Sequence, residues 1–409
     1  MSEKYDVVIV GAGMVGASLS LLLQQAMEQG LKVALIDGFE IKAQGAQQPS
    51  FDDRTTALSL GTQRILSQLG IWQQAVNQAC AIEHIQVSQQ GQFGRVRLHA
   101  KEEGVEALGY VVPNRVIGQM LFQHLLQQTQ LTRYTPAQVL SYGVSETGAH
   151  LEIQFQEESI TIETELLVLA DGANSSGCQQ LGIQQSKHDY QQKAVICNIS
   201  LDSNHENWAY ERFTLGGPLA LLPIQGNRFA LVWCMQTEEA DEVLSLSEVE
   251  FNQRLQDMIG FDKGRIVKSG ERVSYPLVLS QADEQVRSHV VVLGNAAHGL
   301  HPVAGQGFNL ALRDTKVLAS HIEKTFLEQG RDQLGAIQGL LKYSNAQQQD
   351  QSLTIGMSHY LPTGFTQQGA AWSILRGMGL TAMDLNPVAK TLFARQAMGL
   401  VGAAQPWQP

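Results

Sequence analysis

Gly294 to Asp314 reads GNAAHGLHPVAGQGFNLALRD, and the rest of the chain is organised around it. It follows the apolar, β-branched run Val290-Val291-Val292-Leu293 and ends in a helical pattern, so it reads as strand, glycine-bearing loop and helix N-terminus. Gly305 and Gly307 let the main chain approach a flat ligand with no Cβ between them. The helix expected to start near Phe308 adds the partial positive charge of its first turn, which favours an anionic group. By itself this segment defines a ligand-binding loop, or else a glycine-rich turn that joins strand to helix.

A second glycine loop lies at the start of the chain. Tyr5 to Val10 is a short apolar run, Gly11-Ala12-Gly13-Met14-Val15-Gly16 follows, Ala17 to Met27 suits a helix, and Lys32 to Asp37 (KVALID) is another buried-strand pattern. This is the βαβ setting that a G-x-G-x-x-G motif needs in a dinucleotide site. Gly11 allows the tight turn, Gly13 the approach of a pyrophosphate, and Gly16 the packing of helix on strand. Asp37 stands where an acidic side chain accepts ribose hydroxyls, so the expected nucleotide carries an adenosine half.

Both loops resemble the motifs of FAD-dependent aromatic hydroxylases. Gly294 to Asp314 is similar to that family's second flavin motif, G-D-A-A-H-x-x-x-P-x-x-G-x-G-x-N-x-x-x-x-D, with Asn295 in place of the usual Asp. The GNAAH variant narrows the resemblance to the hydroxylases of ubiquinone biosynthesis. Ala170-Asp171-Gly172 and Ser175 are similar to the third signature, A-D-G-x-x-S-x-x-R, but Cys178 occupies the place of its Arg. That departure bears on the pyridine-nucleotide contact, and the Cys itself reads as a small packing residue.

The resemblance implies an α/β flavoprotein of the p-hydroxybenzoate hydroxylase type: a Rossmann-like FAD-binding domain, an inserted antiparallel β-sheet substrate domain and a helical C-terminal tail. The expected division is FAD domain at residues 1–80, 113–183 and 276–340, substrate domain at 81–112 and 184–275, and helical region at 341–409. It implies FAD contacts at Gly11, Gly13, Gly16, Asp37, Arg54, Gln119, Asp171, Gly172, Asn295, Pro302, Gly305, Gly307 and Asn309. Arg54 and the Pro302 to Gly307 backbone are the groups expected beside the reacting flavin face, although an Arg capping a surface loop is the alternative for Arg54. No catalytic base stands out, because His298 and His301 both read equally well as structural loop residues.

The implied reaction uses NADPH or NADH and O₂ to hydroxylate a polyprenylated phenol through a C4a-hydroperoxyflavin. FDDRTTALSLGTQRILSQLGIW, ERFTLGGPLALLP and LVWC are most similar to hydroxylases acting on 2-octaprenyl-6-methoxyphenol. Another ring position in the same pathway, a flavin reductase acting on prenyl chains and a non-catalytic FAD-bound scaffold of a biosynthetic complex remain as alternatives.

Composition is consistent with this and excludes little else. The 409 residues carry 28 basic and 39 acidic side chains, a net charge of −11, with no Lys/Arg cluster to follow a nucleic-acid backbone. Cys80, Cys178, Cys197 and Cys234 are scattered with no metal-ligand spacing, which suits a reducing cytoplasm and no metal. No apolar run approaches the roughly 18 residues of a membrane span.

Alternation at Ala194 to Ile199, Trp208 to Phe213, Leu219 to Pro223 and Phe229 to Cys234 predicts the antiparallel sheet, with Phe213, Leu221, Trp233 and Tyr275 as pocket or core residues. The low-charge tail after Tyr360, including Trp372, Ile374, Leu375, Met378 and Leu380, is expected to reach the inner-membrane surface or partners in the pathway's complex; packing on the flavin domain is the alternative.

Overall fold

The computed structural model describes residues 2–42, 52, 54–301, 305–366 and 370–400. The nucleotide-type half is built on five parallel strands in the spatial order Val290–Val292, Glu158–Leu169, Ser2–Val10, Val33–Ile36 and Thr132–Tyr134. Residues 7–10, 33–36, 166–169 and 290–292 of these strands are buried on both faces, which is why they read as unbroken apolar runs rather than alternating ones. Val7, Ile9, Leu35 and Val168 face the helices Met14–Leu22, Asn114–Gln127 and Gln306–Glu328. Val8, Val10, Ile36 and Leu169 face an antiparallel hairpin, Ala137–Ser145 and Gly148–Phe155, that pairs onto the long strand Glu158–Leu169.

The second half is a nine-stranded sheet drawn mostly from residues 84–99 and 185–282. Its spatial order is His298–Gly299, Val273–Ala282, Gln185–Leu201, Arg228–Gln236, Pro218–Ile224, Trp208–Phe213, His84–Gln89 and Arg95–His99, with Ile266–Ser269 also on Gln185–Leu201. The expected antiparallel pairing holds except between Trp208–Phe213 and His84–Gln89, which run parallel. A small sheet, Thr55–Ser59, Gly109–Pro113 and Cys80–Ile82, is interleaved in sequence with strands of both halves.

Two helices in this region, Thr237–Ser245 and Glu248–Ile259, were not foreseen. They cover one face of the large sheet, and so Leu221 and Trp233 are core residues packed with Phe251 and Leu255, not pocket residues. Ser247 starts the second helix with a capping box: its hydroxyl accepts from the Glu250 backbone N–H, and the Glu250 carboxylate accepts from the Ser247 N–H.

The tail forms helices Ile337–Thr366, Ala370–Leu385 and Pro387–Ala397. It is a wall of the molecule rather than an appendage. Arg313 on Gln306–Glu328 grips Asp350 through Nε at 2.6 Å and a second nitrogen at 3.0 Å. Phe365 stacks on Phe213 with ring centres 4.0 Å apart, and the Arg97 backbone N–H donates to Asp384 at 2.9 Å. Leu380, expected at a membrane, is 8% exposed and packs with Val96, Leu98 and Leu108.

Candidate active site

The first glycine loop is shaped by contacts that admit no side chain. At Gly11, φ is +103° and an added Cβ would lie 2.4 Å from the Ala170 carbonyl oxygen; at Gly16 it would lie 1.8 Å from that of Gly11. Asp37 ends its strand beside this loop, and its carboxylate accepts from the Ala12 N–H at 2.5 Å and the Phe39 N–H at 2.8 Å. Gly294, at φ +67°, lays the second motif against Val15, so the two glycine segments meet at the first turn of the helix Met14–Leu22.

The second motif opens with a short turn, Gly294–Ala296, and the strand His298–Gly299, and its helix starts at Gln306 behind Gly305 in the left-handed conformation. Pro302, a candidate for the flavin face, lies outside the described residues. Asn309 is a clamp: its carbonyl accepts from the Ser59 N–H, and its amide donates to the Ala57 and Gly305 carbonyls, all at 2.8 Å. Both of its donors are thereby committed to the protein.

One cavity of about 770 Å³ joins these parts. Its lining includes Gly13, Arg54, Gly172, Asn295, Gly305 and Gly307 from the motif segments together with the apolar Val96, Leu98, Leu222, Val232, Leu380 and Phe393. Arg54 pairs with Asp52 and lies over the Tyr275 ring at 4.6 Å, so Tyr275, read from sequence as pocket or core, supports Arg54 and does not line the cavity. Phe213 does line it. Gln119 does not: it sits half-buried on Asn114–Gln127, where Asn114 is the cavity residue, bonded to Thr56 and Asp52.

The structure also separates the two histidines that sequence left equivalent. His298 is locked outside the cavity lining, with Nε2 at 3.3 Å from the Asp314 carboxylate, which in turn accepts from Gln347 and Gln351 at 2.7 and 3.0 Å. His301 lines the cavity and is 1% exposed. Burial, with a smaller push from His359, lowers its pKa to about 4, so it is neutral at physiological pH. Glu211, the first residue of the ERFTLGGPLALLP segment, and Arg376 are further polar lining groups that the sequence did not single out. All four cysteines are buried and unbridged, and burial raises the thiol pKa of each, Cys178 included.

These residues fit FAD on two counts. The Asp171 Oδ1 is buried with no partner among the described residues, an acceptor waiting for a hydroxyl. Gly172 and Gly307 line the cavity with open space where a Cβ would stand, the room a flat ring system needs. Of the expected cofactor residues, Gly13, Arg54, Gly172, Asn295, Gly305, Gly307 and Asn309 line this cavity. Among the described residues no cluster of His, Cys, Asp and Glu could hold a metal, and no helix is long and apolar enough to cross a membrane.

Comparison with known proteins agrees with this geometry. Residues 4–345 match the family described as FAD binding domain. A ubiquinone hydroxylase, UbiL of Rhodospirillum rubrum, is 32% identical over 96% of this chain and 89% of its own. The human mitochondrial ubiquinone biosynthesis monooxygenase COQ6 is 27% identical over 95% and 92%. In fold, the chain is similar to p-nitrophenol 4-monooxygenase PnpA of Pseudomonas putida, with TM-score 0.77 at 15% identity over 99% of this chain and 100% of the other. PqsL of P. aeruginosa, solved with 2-aminobenzoylacetate, gives TM-score 0.76 at 20% identity over 93% and 100%. The chain belongs to the FAD binding domain family, and it is an FAD-dependent aromatic hydroxylase of the ubiquinone-biosynthesis group.

Proposed function

We propose that this enzyme hydroxylates the ring of a polyprenylated phenol of the 2-octaprenyl-6-methoxyphenol type, using NADPH or NADH and O₂ by the C4a-hydroperoxide route that its family resemblance implies. The observation that carries the reading is the composition of the cavity wall, in which glycine-loop and polar residues share one cavity with apolar residues of the large sheet and the tail helices. Such a wall has polar groups for a phenol ring and apolar surface for a prenyl chain. When bound, FAD supplies the chemistry that makes O₂ a donor of one oxygen atom. The chain's part is to orient the ring, exclude water through Phe213, Phe365 and Leu380, and support ionisation of the phenol. The test is a stopped-flow trace of the reduced enzyme mixed with O₂ and a short-chain prenyl phenol. An oxygenated-flavin absorbance whose decay yields hydroxylated ring supports the reading; reoxidation to peroxide alone, or saturation of the prenyl chain, overturns it.

The same substrate chemistry supports peripheral contact with a membrane. Trp372, Ile374, Leu375 and Met378 are each more than half exposed on Ala370–Leu385, the helix whose Gly379, Leu380 and Met383 wall the cavity. With a net charge of −11, apolar side chains and not electrostatic attraction to anionic lipid would make that contact.

A further inference from the structure

The helices Gln306–Glu328 and Ile337–Thr366 are joined by a short return through residues 329–336, and a second cavity of about 810 Å³ lies between them. His321 and Lys324 line it from the first helix, and Gly339, Lys342 and Tyr343 from the second. Ser288 and His289, which lead into the strand Val290–Val292, close it on another side. None of its lining residues is shared with the flavin cavity. The two are joined only by Gln306–Glu328, along which His321 lies about 21 Å beyond Gly307 at 1.5 Å per residue.

The wall of this cavity holds donors that lack acceptors. Tyr343 is 2% exposed, and its hydroxyl has no hydrogen-bond partner among the described residues. The neighbouring Asp314 carboxylate is already held by Gln347 and Gln351. His321 Nε2 is buried without a partner as well, against the bare Gly339 and with its ring centre 6.4 Å from that of Tyr343. Burial, and then the charge of Lys342, lower the His321 pKa, so the ring is neutral above pH 6.5 with one N–H to give. Lys324 and Lys342 add two exposed ammonium groups. Residues 336–339 bring the start of a 30-residue helix to the same wall, with no acid in its first turn and with first-turn N–H groups that have no partner inside the helix. The acids on the wall are Glu146 and Asp332, and Lys324 also lies 4.0 Å from Glu328.

We propose that this cavity binds a phosphate-bearing anion of about nucleotide size, whose oxygens accept from Lys324, Lys342, the Tyr343 hydroxyl and the first-turn N–H groups of Ile337–Thr366. A hydroxyl donor buried without an acceptor destabilises a fold, and an anion's oxygen removes that cost. Two ammonium groups and a helix N-terminus on one wall select a multiply charged anion over a neutral acceptor. The volume is larger than one phosphate fills, and Val317, Ile337 and Ala346 give apolar surface to the rest of the ligand. Binding here is independent of the ring hydroxylation proposed above.

The experiment is isothermal titration of the FAD-loaded, oxidised enzyme with ADP, pyrophosphate and adenosine. Wild type binds both anions and binds adenosine at least about tenfold more weakly than ADP. Lys324→Gln combined with Lys342→Gln, both at exposed positions, weakens ADP about a hundredfold. Tyr343→Phe keeps the packed ring and removes only the unmatched hydroxyl, so it weakens ADP about tenfold without lowering the melting temperature. ADP binding tighter than pyrophosphate assigns the phosphate to a nucleotide, and equal affinities assign it to the free anion; both agree with the proposal. No heat from either anion at about 1 mM overturns it. So does wild-type affinity for ADP in either variant, which would place the bound ADP elsewhere on the enzyme. Both failures leave the phenol reading in place.

Discussion

The two faces of the nine-stranded sheet are made by alternate residues of the same strands, yet they do opposite things. One face carries Leu219, Leu221, Phe229, Leu231 and Trp233, closed over by Phe251 and Leu255 of the covering helices. On the other face, Ala209, Ala220 and Ala230 are small, and with Leu222 and Val232 they leave the cavity open. Side-chain volume removed from one face becomes binding space only because the other face is filled and capped. Function and stability are thus divided by residue parity along each strand.

The comparison is sharpest where the two faces are changed in opposite senses. Trp233→Ala, on the filled face, should cost about 3–5 kcal/mol of unfolding free energy, read as a fall in denaturant midpoint. Ala220→Phe, one face over, should change stability by less than about 1 kcal/mol because Ala220 is only half-buried, lines the cavity and belongs to no packed cluster. It should lower kcat/KM for a prenyl phenol roughly a hundredfold. Equal stability losses from the two would erase the distinction between them.

Truncation from Leu361 extends the test to the tail. It removes Leu361, Phe365, Leu380, Met383 and Phe393 from the cavity wall and exposes Val96 and Leu98, so purified protein should lose folded yield as well as hydroxylation. The paired variant Trp372→Glu with Leu375→Glu should keep fold and flavin and lose sedimentation with anionic vesicles; undiminished sedimentation would remove the membrane face from the account.

A smaller effect is expected from pH. The unfolded chain protonates His301 near its ordinary pKa of 6.5, whereas the folded protein refuses that proton until about pH 4. His301's contribution is therefore full above pH 6.5 and is lost as pH falls through this window. His301→Gln should flatten that part of the stability curve in chemical denaturation. The smallest change is expected of Asn295→Asp, since either side chain accepts from a flavin hydroxyl; flavin content after gel filtration checks it.

Much of the fold was legible because its elements carry local signals. Gly11 and Gly16 announce a turn and a close packing that the chain cannot make otherwise, and the parallel strands show their double burial as unbroken apolar runs. Parity was harder. Leu221 and Trp233 alternate correctly, but which face a helix covers depends on Thr237–Ser245 and Glu248–Ile259 folding back, a tertiary event with no motif. His298 and His301 are three residues apart and alike in sequence; only the Gln347 and Gln351 donors to Asp314, and the arrival of Tyr190, tell the clamp from the cavity residue. Asn309 fits a flavin motif, although its amide holds strand to helix.

The central claim is that this cavity places a prenylated phenol ring where one atom of O₂ is transferred to it. The most direct measurement is mass spectrometry of the product formed by the purified enzyme with FAD, NADPH, ¹⁸O-labelled O₂ and a short-chain 2-prenyl-6-methoxyphenol. The account predicts a ring-hydroxylated product carrying a single labelled oxygen. Consumption of NADPH with labelled hydrogen peroxide as the sole oxygen product, or a prenyl chain gaining hydrogen with no label in the ring, would contradict it.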